Sequence, residues 1–470
     1  MVIQIEDPEI AQRRLGRPAL FGLGQDIPLG IVPDRMHAWV IRRDRHGDPK
    51  AAFQPEIVNV PSIGPDEVLV LVMAAGVNYN GVWAALGRPV SPMDMHDQDF
   101  HIAGSDAAGI VWAVGSNVRN WRVGDEVVAH CCQADGDDEE CNGGDPMLSP
   151  SQRIWGYETS FGAFAQFARL QATQLLPRPK HLSWEASACY ALVLATAYRM
   201  LFGHPPHMIG PGKTVLVWGA AGGLGSMAIQ LAALVGARAI AVVSDDAKAE
   251  HARRLGAVDV INRSKFSCWG PPPSVDSGDA YALYLKRVKD FGRAVRQAAG
   301  SGGEVDIVFE HPGRDTFAVS SFIAKRGGMV VFCAATSGYD LTFDARYVWM
   351  RQKRIQGSHF ANLKQAAEAN RLVLAGQIDP CLSEVFSWNQ LPEAHSKMLQ
   401  NQHSPGNMAV LIHSARMGEG QQEIGSRSLT RWAQPRIMHQ ALRRMDSEKE
   451  QGIDDRRDRG RAGEINVNPE

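Results

Sequence analysis

Between Lys213 and Gly225 the chain reads Lys-Thr-Val-Leu-Val-Trp-Gly-Ala-Ala-Gly-Gly-Leu-Gly, an apolar β run that breaks on glycines and restarts with helical spacing. Without side chains at Gly219, Gly222, Gly223 and Gly225, backbone N–H groups can approach a pyrophosphate, and a helix beginning near Leu224 adds its positive N-terminal end. Such a turn makes and breaks no bond. It points to a bound dinucleotide, and so to redox chemistry on a second molecule. Glycines also serve ordinary strand-to-helix turns, so the surrounding elements must decide between the two.

Those elements alternate. After the turn, residues 239–243 read as a second strand, residues 249–255 as a helix, and residues 258–261, 305–309 and 329–333 as further β runs with helical stretches between them. That order predicts an α/β fold with a doubly wound parallel sheet, and a nicotinamide dinucleotide on the turn. A 2′-phosphate on its ribose needs cations and hydroxyl donors, whereas a free diol needs an acid. Ser244 stands at the end of the second strand, Lys248 follows four residues on, and Arg263 follows the next short strand; this pattern favours NADPH. Asp245 and Asp246 point the other way, or cap the following helix.

Bulk properties fit an enzyme of more than one domain. The 470 residues are 44% hydrophobic and include 46 glycines, enough to bury two cores. A net charge of −2 gives no reason to invoke nucleic acid or a membrane surface. Residues 1–10 are acidic without an apolar signal core, and the apolar run over 228–243 is interrupted by Arg238. Seven scattered cysteines, with an adjacent pair at Cys131-Cys132 and no Cys-x-x-Cys, suit reduced thiols in a cytoplasm.

Residues 1–35 read as a mixed lead-in. Residues 36–182 carry short strands with turn signals, at 67–75, 108–114, 126–130 and 162–169, and read as a β-rich domain. The dinucleotide domain spans 183–343, with an insert at 265–303 whose second half is an amphipathic helix. There Ala282, Leu285, Val288 and Val295 oppose Lys286, Arg287, Lys289, Arg293 and Arg296. A solvated face accounts for such charges; the functional alternative is a phosphate-rich ligand such as coenzyme A. Residues 344–415 return to the first domain, because 408–413 is an apolar strand with no partner sheet nearby in sequence. Residues 416–470, dominated by Arg, Glu, Asp, Gly and Gln, read as a disordered tail.

The segments Gly104-Ser-Asp-Ala-Ala-Gly109, Gly124-Asp-Glu-Val127 and Gly162-Ala-Phe-Ala-Gln166, ahead of the glycine turn, resemble the medium-chain dehydrogenase/reductase superfamily. More narrowly, about residues 35 to 415 resemble the crotonyl-CoA carboxylase/reductases. The matches are Val77-Asn-Tyr-Asn80-Gly-Val-Trp83, Gln152-Arg-Ile-Trp-Gly-Tyr157-Glu158-Thr, Val308-Phe-Glu-His-Pro-Gly313, Arg346-Tyr347-Val-Trp-Met and Gly357-Ser-His359-Phe-Ala-Asn362. The resemblance implies a GroES-like β-rich catalytic domain wrapped on a Rossmann domain, and a homodimer or homotetramer. It also implies reduction of an enoyl-CoA by NADPH, with CO2 as co-substrate captured by the enolate.

Hydride delivered to the β-carbon of a conjugated thioester leaves a carbon nucleophile, which a proton or a held CO2 can quench. The resemblance assigns the holding of CO2 to four positions. Asn80 donates an amide N–H to one oxygen, Glu158 and His359 organise the other through a water, and Tyr157 covers the pocket as an aromatic wall. It further assigns Arg346 and Tyr347 to coenzyme A, with Lys289 of the insert helix as a cation for its phosphates, and Thr196 to the nicotinamide. His311, near the carboxyl end of a sheet strand, lies where ligands bind in such folds. Each residue alone has an ordinary structural explanation, as a turn asparagine, a junction histidine or a loop framework. Their joint occurrence favours catalysis.

No metal is expected. Zinc-dependent relatives need a cysteine, a histidine with its neighbouring acid, and a further ligand around an open site; Gly104-Ser-Asp106 stands where the His–acid pair would be. The alternatives to reductive carboxylation are an NADPH-dependent enoyl-CoA or quinone reductase that protonates its enolate, and a non-catalytic NADPH-sensing protein.

Overall fold

The computed structural model describes residues 18–300 and 303–422. The expectations for the start of the lead-in and for most of the charged tail lie outside the described residues.

The strand Glu67–Val77 is apolar along nearly its whole length and buried on both faces, which makes it the centre of a sheet rather than an edge. Ala107–Val114, Phe167–Gln171 and Asn407–Leu411 all pair with it antiparallel. The sheet runs in the order Leu382–Phe386, Asn407–Leu411, Glu67–Val77, Ala107–Val114, Glu126–Ala129, Leu175–Pro177, with Phe167–Gln171 branching from Glu67–Val77. Residues 162–165, read from sequence as the start of a strand, lie outside this sheet, which the segment enters only at Gln166, whose O accepts from Val72 N. They run against residues 102–104, with Gly162 N on Ile102 O and Phe164 N on Ala103 O, and a Cβ on Gly162 would strike those carbonyls at 2.6 Å.

The second sheet has six strands, all parallel, in the order Asp259–Asn262, Arg238–Val243, Thr214–Val217, Val305–Glu310, Ala324–Phe332, Arg354–Gly357. The direction of winding reverses between Thr214–Val217 and Val305–Glu310, so a crevice opens beyond their carboxyl ends. The sheet also takes in Arg354–Gly357, beyond the boundary expected at residue 343. With only Ile355 apolar, that segment carries no strand pattern of its own, and its pairing comes from the edge left by Ala324–Phe332.

The helix of the expected insert runs over Asp279–Ala299 and buries Tyr281, Val288, Phe291, Val295, Ala298 and Ala299. Its buried face is therefore turned from the one read in sequence, and Ala282 is exposed. Phe291 stacks on Trp218 with centroids 5.6 Å apart, and Trp269 closes on both rings edge-on. The helix is thus the crossover between Asp259–Asn262 and Val305–Glu310, and its aromatic packing holds the residue that precedes the glycine turn.

Candidate active site

Thr214–Val217 ends at Trp218, and Gly219 turns the chain with φ +53, which glycine adopts without steric cost. Gly222 caps the helix Gly223–Leu234, whose first turn includes Leu224 and Gly225. A Cβ on Gly219 would fall 2.5 Å from His311 Nε2, and one on Gly225 would fall 2.5 Å from Gly219 O, so the turn is closed to side chains. At the end of the neighbouring strand, Lys248 Nζ donates to Ser244 Oγ at 2.9 Å and pairs with Asp245 at 3.3 Å. Asp245 also accepts from Lys248 N and so caps the turn after the strand, the second of the two roles open to it in sequence.

One cavity of about 730 Å³ is lined by this turn, by Ser244, Lys248 and Arg263, and by His311 and Thr196. Asn80, Tyr157, Glu158 and His359 line the same cavity. The side-chain-free turn and the hydroxyl with two cations at Ser244, Lys248 and Arg263 fit a dinucleotide bearing a 2′-phosphate.

Three separate elements deliver the second set. Asn80 sits in the first turn of the helix Tyr79–Leu86, directly after the central strand; it is buried, and its Nδ2 donates to Ser105 Oγ at a long 3.4 Å. Tyr157 and Glu158 follow the short strand Arg153–Ile154, and the turn is locked by Glu158 itself, whose Oε2 accepts from Ile154 N at 2.6 Å. His359 follows Arg354–Gly357, at the carboxyl end of the parallel sheet. Thr196 lies in the helix Ala191–Phe202, its hydroxyl donating to Leu192 O at 2.8 Å.

The walls are poor proton donors. Burial, reinforced by the negative charge of Glu158, pushes the Tyr157 phenol up to about 12, and its hydroxyl donates to Val90 O at 2.8 Å. His359 is exposed to the cavity; partial burial lowers its pKa against the smaller opposing pull of Cys132 and Glu158. His311 is held neutral by burial, down to about 4, and its Nε2 must donate to the carbonyl of Trp218 at 3.0 Å, leaving Nδ1 unprotonated.

Lys289, Arg346 and Tyr347 do not line this cavity. Lys289 is exposed on the crossover helix. The Arg346 guanidinium pairs with Asp344 at 2.7 Å and reaches Tyr281 Oη at 3.1 Å, while the Tyr347 ring packs edge-on against Phe322.

Three supporting residues escaped the sequence reading. Glu310 is fully buried and accepts from Gly313 N, Thr316 Oγ1 and Ser320 Oγ, and Ser320 Oγ in turn receives Trp218 Nε1. It thus ties the His311 loop to the residue before the glycine turn, and a lone acid ending an apolar strand was the signal for it. Asp106 is fully buried, accepts from Asn78 Nδ2 and Leu192 N, and is pushed up to about 8 by burial. Asn407 closes on Gly223 from the far end of the chain, and nothing local in the sequence marks it. Among the described residues, no three His, Cys, Asp or Glu side chains gather as metal ligands would.

Two family models match the chain: an alcohol dehydrogenase GroES-like domain over residues 64–180, and a zinc-binding dehydrogenase over residues 223–375. The crotonyl-CoA carboxylase/reductase of Cereibacter sphaeroides is 63% identical over 399 residues, covering 85% of this chain and 93% of that protein. A solved structure of a crotonyl-CoA carboxylase/reductase superposes with a TM-score of 0.83 at 62% identity, over 86% of this chain and 94% of the other. The 2-octenoyl-CoA carboxylase reductase CinF, solved in complex with NADP and 2-octenoyl-CoA, superposes with a TM-score of 0.76 at 38% identity, over 83% and 91%. Identity at this level across most of both chains, on a GroES-like domain joined to a parallel dinucleotide sheet, makes this chain a member of the crotonyl-CoA carboxylase/reductase family of medium-chain dehydrogenases/reductases.

Proposed function

We propose that this chain reduces crotonyl-CoA with NADPH and captures CO2 on the α-carbon, giving ethylmalonyl-CoA. The observation that carries this reading is the shared cavity: Asn80, Tyr157, Glu158 and His359 line the same space as the glycine turn.

NADPH on the turn at Gly219–Gly225 supplies a hydride to the β-carbon of the thioester. The protein's own residues decide what then meets the α-carbon. Asn80 offers an amide N–H to one CO2 oxygen, a neutral donor that does not give up its proton. Glu158, its carboxylate aimed by Ile154 N, acts with His359 on the other oxygen through an ordered water. Tyr157 closes the pocket with its ring while its hydroxyl is committed to Val90 O, away from the reacting carbon. With the phenol weakly acidic and its hydroxyl committed to Val90 O, protonation by Tyr157 is slow relative to attack on a held CO2.

Lys289, Arg346 and Tyr347 serve coenzyme A outside the reaction cavity in this proposal, and Thr196 and His311 flank the nicotinamide. The enzyme works as a homodimer or homotetramer in the cytoplasm; its seven unbridged cysteines support a reducing compartment. Among the described residues, no helix is long and apolar enough to cross a membrane.

The test is NADPH oxidation with crotonyl-CoA at low and saturating bicarbonate, with the products weighed by mass spectrometry. Asn80→Ala and Glu158→Gln are expected to shift product from the carboxylated to the simply reduced acyl-CoA. An unchanged product ratio at low CO2 overturns these assignments.

A further inference from the structure

The ribbon that presents Tyr157 and Glu158 and the turn that presents His359 meet at three places: Phe360 packs against Cys131, Cys132 and Ile154, the Cys132 thiol reaches the Ala361 backbone, and the buried His130 bonds to Ala361 O. Its main chain is clamped on both sides by Gln174: His130 N donates to Gln174 O at 2.8 Å, and His130 O accepts from Gln174 Nε2 at 2.9 Å. From there the chain runs into Cys131 and Cys132. Cys131 O accepts from Trp155 N, and Cys132 pairs with Ile154. This is the ribbon on which Glu158 closes its own turn.

The imidazole lies beside the Cys132 thiol and reaches the turn after His359. His130 Nε2 lies 2.8 Å from Ala361 O, and since a carbonyl can only accept, Nε2 carries the proton. Ala361 is fully buried and stands two residues after His359. Between them Phe360 adopts φ +39, a left-handed conformation that a bulky side chain takes only when its surroundings impose it. The hydrogen bond from His130 holds the carbonyl of the residue immediately after that strained one. His130 itself is fully buried and does not line the cavity, so it touches neither substrate nor CO2.

We infer that His130 is a positioning residue for the carboxylation step: through Ala361 it holds the His359 turn in register with the ribbon that carries Glu158. The inference rests on the reading that Glu158 and His359 organise CO2. A lost grip lets Phe360 relax and moves His359 away from Glu158, while the dinucleotide turn, held by other elements, is untouched. The consequence is specific: capture of CO2 weakens and hydride transfer does not.

Two variants differing by one methylene test this. In His130→Gln the side-chain amide reaches about as far as Nε2 and can still donate to Ala361 O; in His130→Asn it stops near the position of Nδ1 and cannot. Both are measured for KM of CO2, for kcat of NADPH oxidation at saturating CO2, and for the ratio of carboxylated to reduced product, with Glu158→Gln alongside. His130→Asn is expected to raise KM for CO2 about tenfold and to shift product toward the reduced acyl-CoA, with kcat within about twofold, and His130→Gln to restore most of the loss. If the Asn and Gln variants behave alike, or if kcat falls in step with CO2 capture, the positioning role is wrong. If Glu158→Gln leaves the product ratio unchanged, the CO2-site reading fails and the inference with it; if Glu158→Gln shifts the ratio and His130→Asn does not, only the inference fails.

Discussion

Gly223 lies so close to Asn407 that a Cβ built on the glycine would sit 1.9 Å from Asn407 Oδ1. Asn407 is anchored in turn, its Nδ2 donating to Pro380 O at 2.7 Å. The next residue, Met408, pairs with Val77, three residues before Asn80. The start of the dinucleotide helix and the strand that ends at the proposed CO2 donor therefore share one contact. Gly223→Ala must displace the helix start or the returning strand. We expect a loss of about 1–3 kcal/mol of stability and a raised KM for NADPH. A melting temperature and NADPH KM equal to those of the parent would show that the contact yields without cost.

The cofactor preference should reside in Lys248 and Arg263. Lys248 is already drawn to Ser244 Oγ and Asp245, so its ammonium is placed without a ligand present. Lys248→Ala is expected to raise KM for NADPH about tenfold, the scale of a lost charge-assisted contact, and to leave KM for NADH nearly unchanged. Equal losses for both cofactors would remove Lys248 from 2′-phosphate recognition.

Tyr157→Phe should separate the wall from the hydroxyl. Because Oη donates to Val90 O rather than into the cavity, its removal is expected to cost at most about 1 kcal/mol of stability and to leave the product ratio as it was. A shift toward the reduced acyl-CoA on this substitution would mean that the hydroxyl, and not only the ring, acts on CO2.

Asp106 imposes a pH dependence on stability. Its folded pKa, about 8, lies above the ordinary 3.8 of an aspartate because burial penalises the charged form. Between those values the folded chain holds a proton that the unfolded chain has released. Stability therefore falls as pH rises through this window, with a slope of up to about 1.4 kcal/mol per pH unit from this one group. Asp106→Asn removes the titration, and denaturation midpoints from pH 5 to 8 should become flatter than those of the parent. Parallel profiles for the two proteins would show that Asp106 is charged in the fold.

Residues that act through contiguous backbone were legible from the sequence. The glycines at 219–225, the cluster at Ser244, Lys248 and Arg263, and His311 are marked by their places after the ends of successive strands, and they line one cavity. The amphipathic helix at 279–299 was legible as a helix, but not in its orientation. Tyr281 and Phe291 are buried where the sequence reading placed the apolar face one step around, because aromatic packing on Trp218 sets the rotation. Lys289, Arg346 and Tyr347 stand apart from the cavity, which charge and spacing in the sequence had no means to show.

By itself the sequence determined the α/β alternation, the glycine turn between strand and helix and, through five ordered segments, the membership of its family. These depend on local periodicity, on the absence of side chains at a turn and on short runs that keep their order in any fold. Only the tertiary structure decided which side chains meet: Gly223 with Asn407, Tyr157 with Val90 O, His130 with Ala361 O, Asp106 with Leu192 N. Each of those pairs joins segments far apart in the chain, and a contact made by three-dimensional packing leaves no periodicity in either partner's neighbourhood.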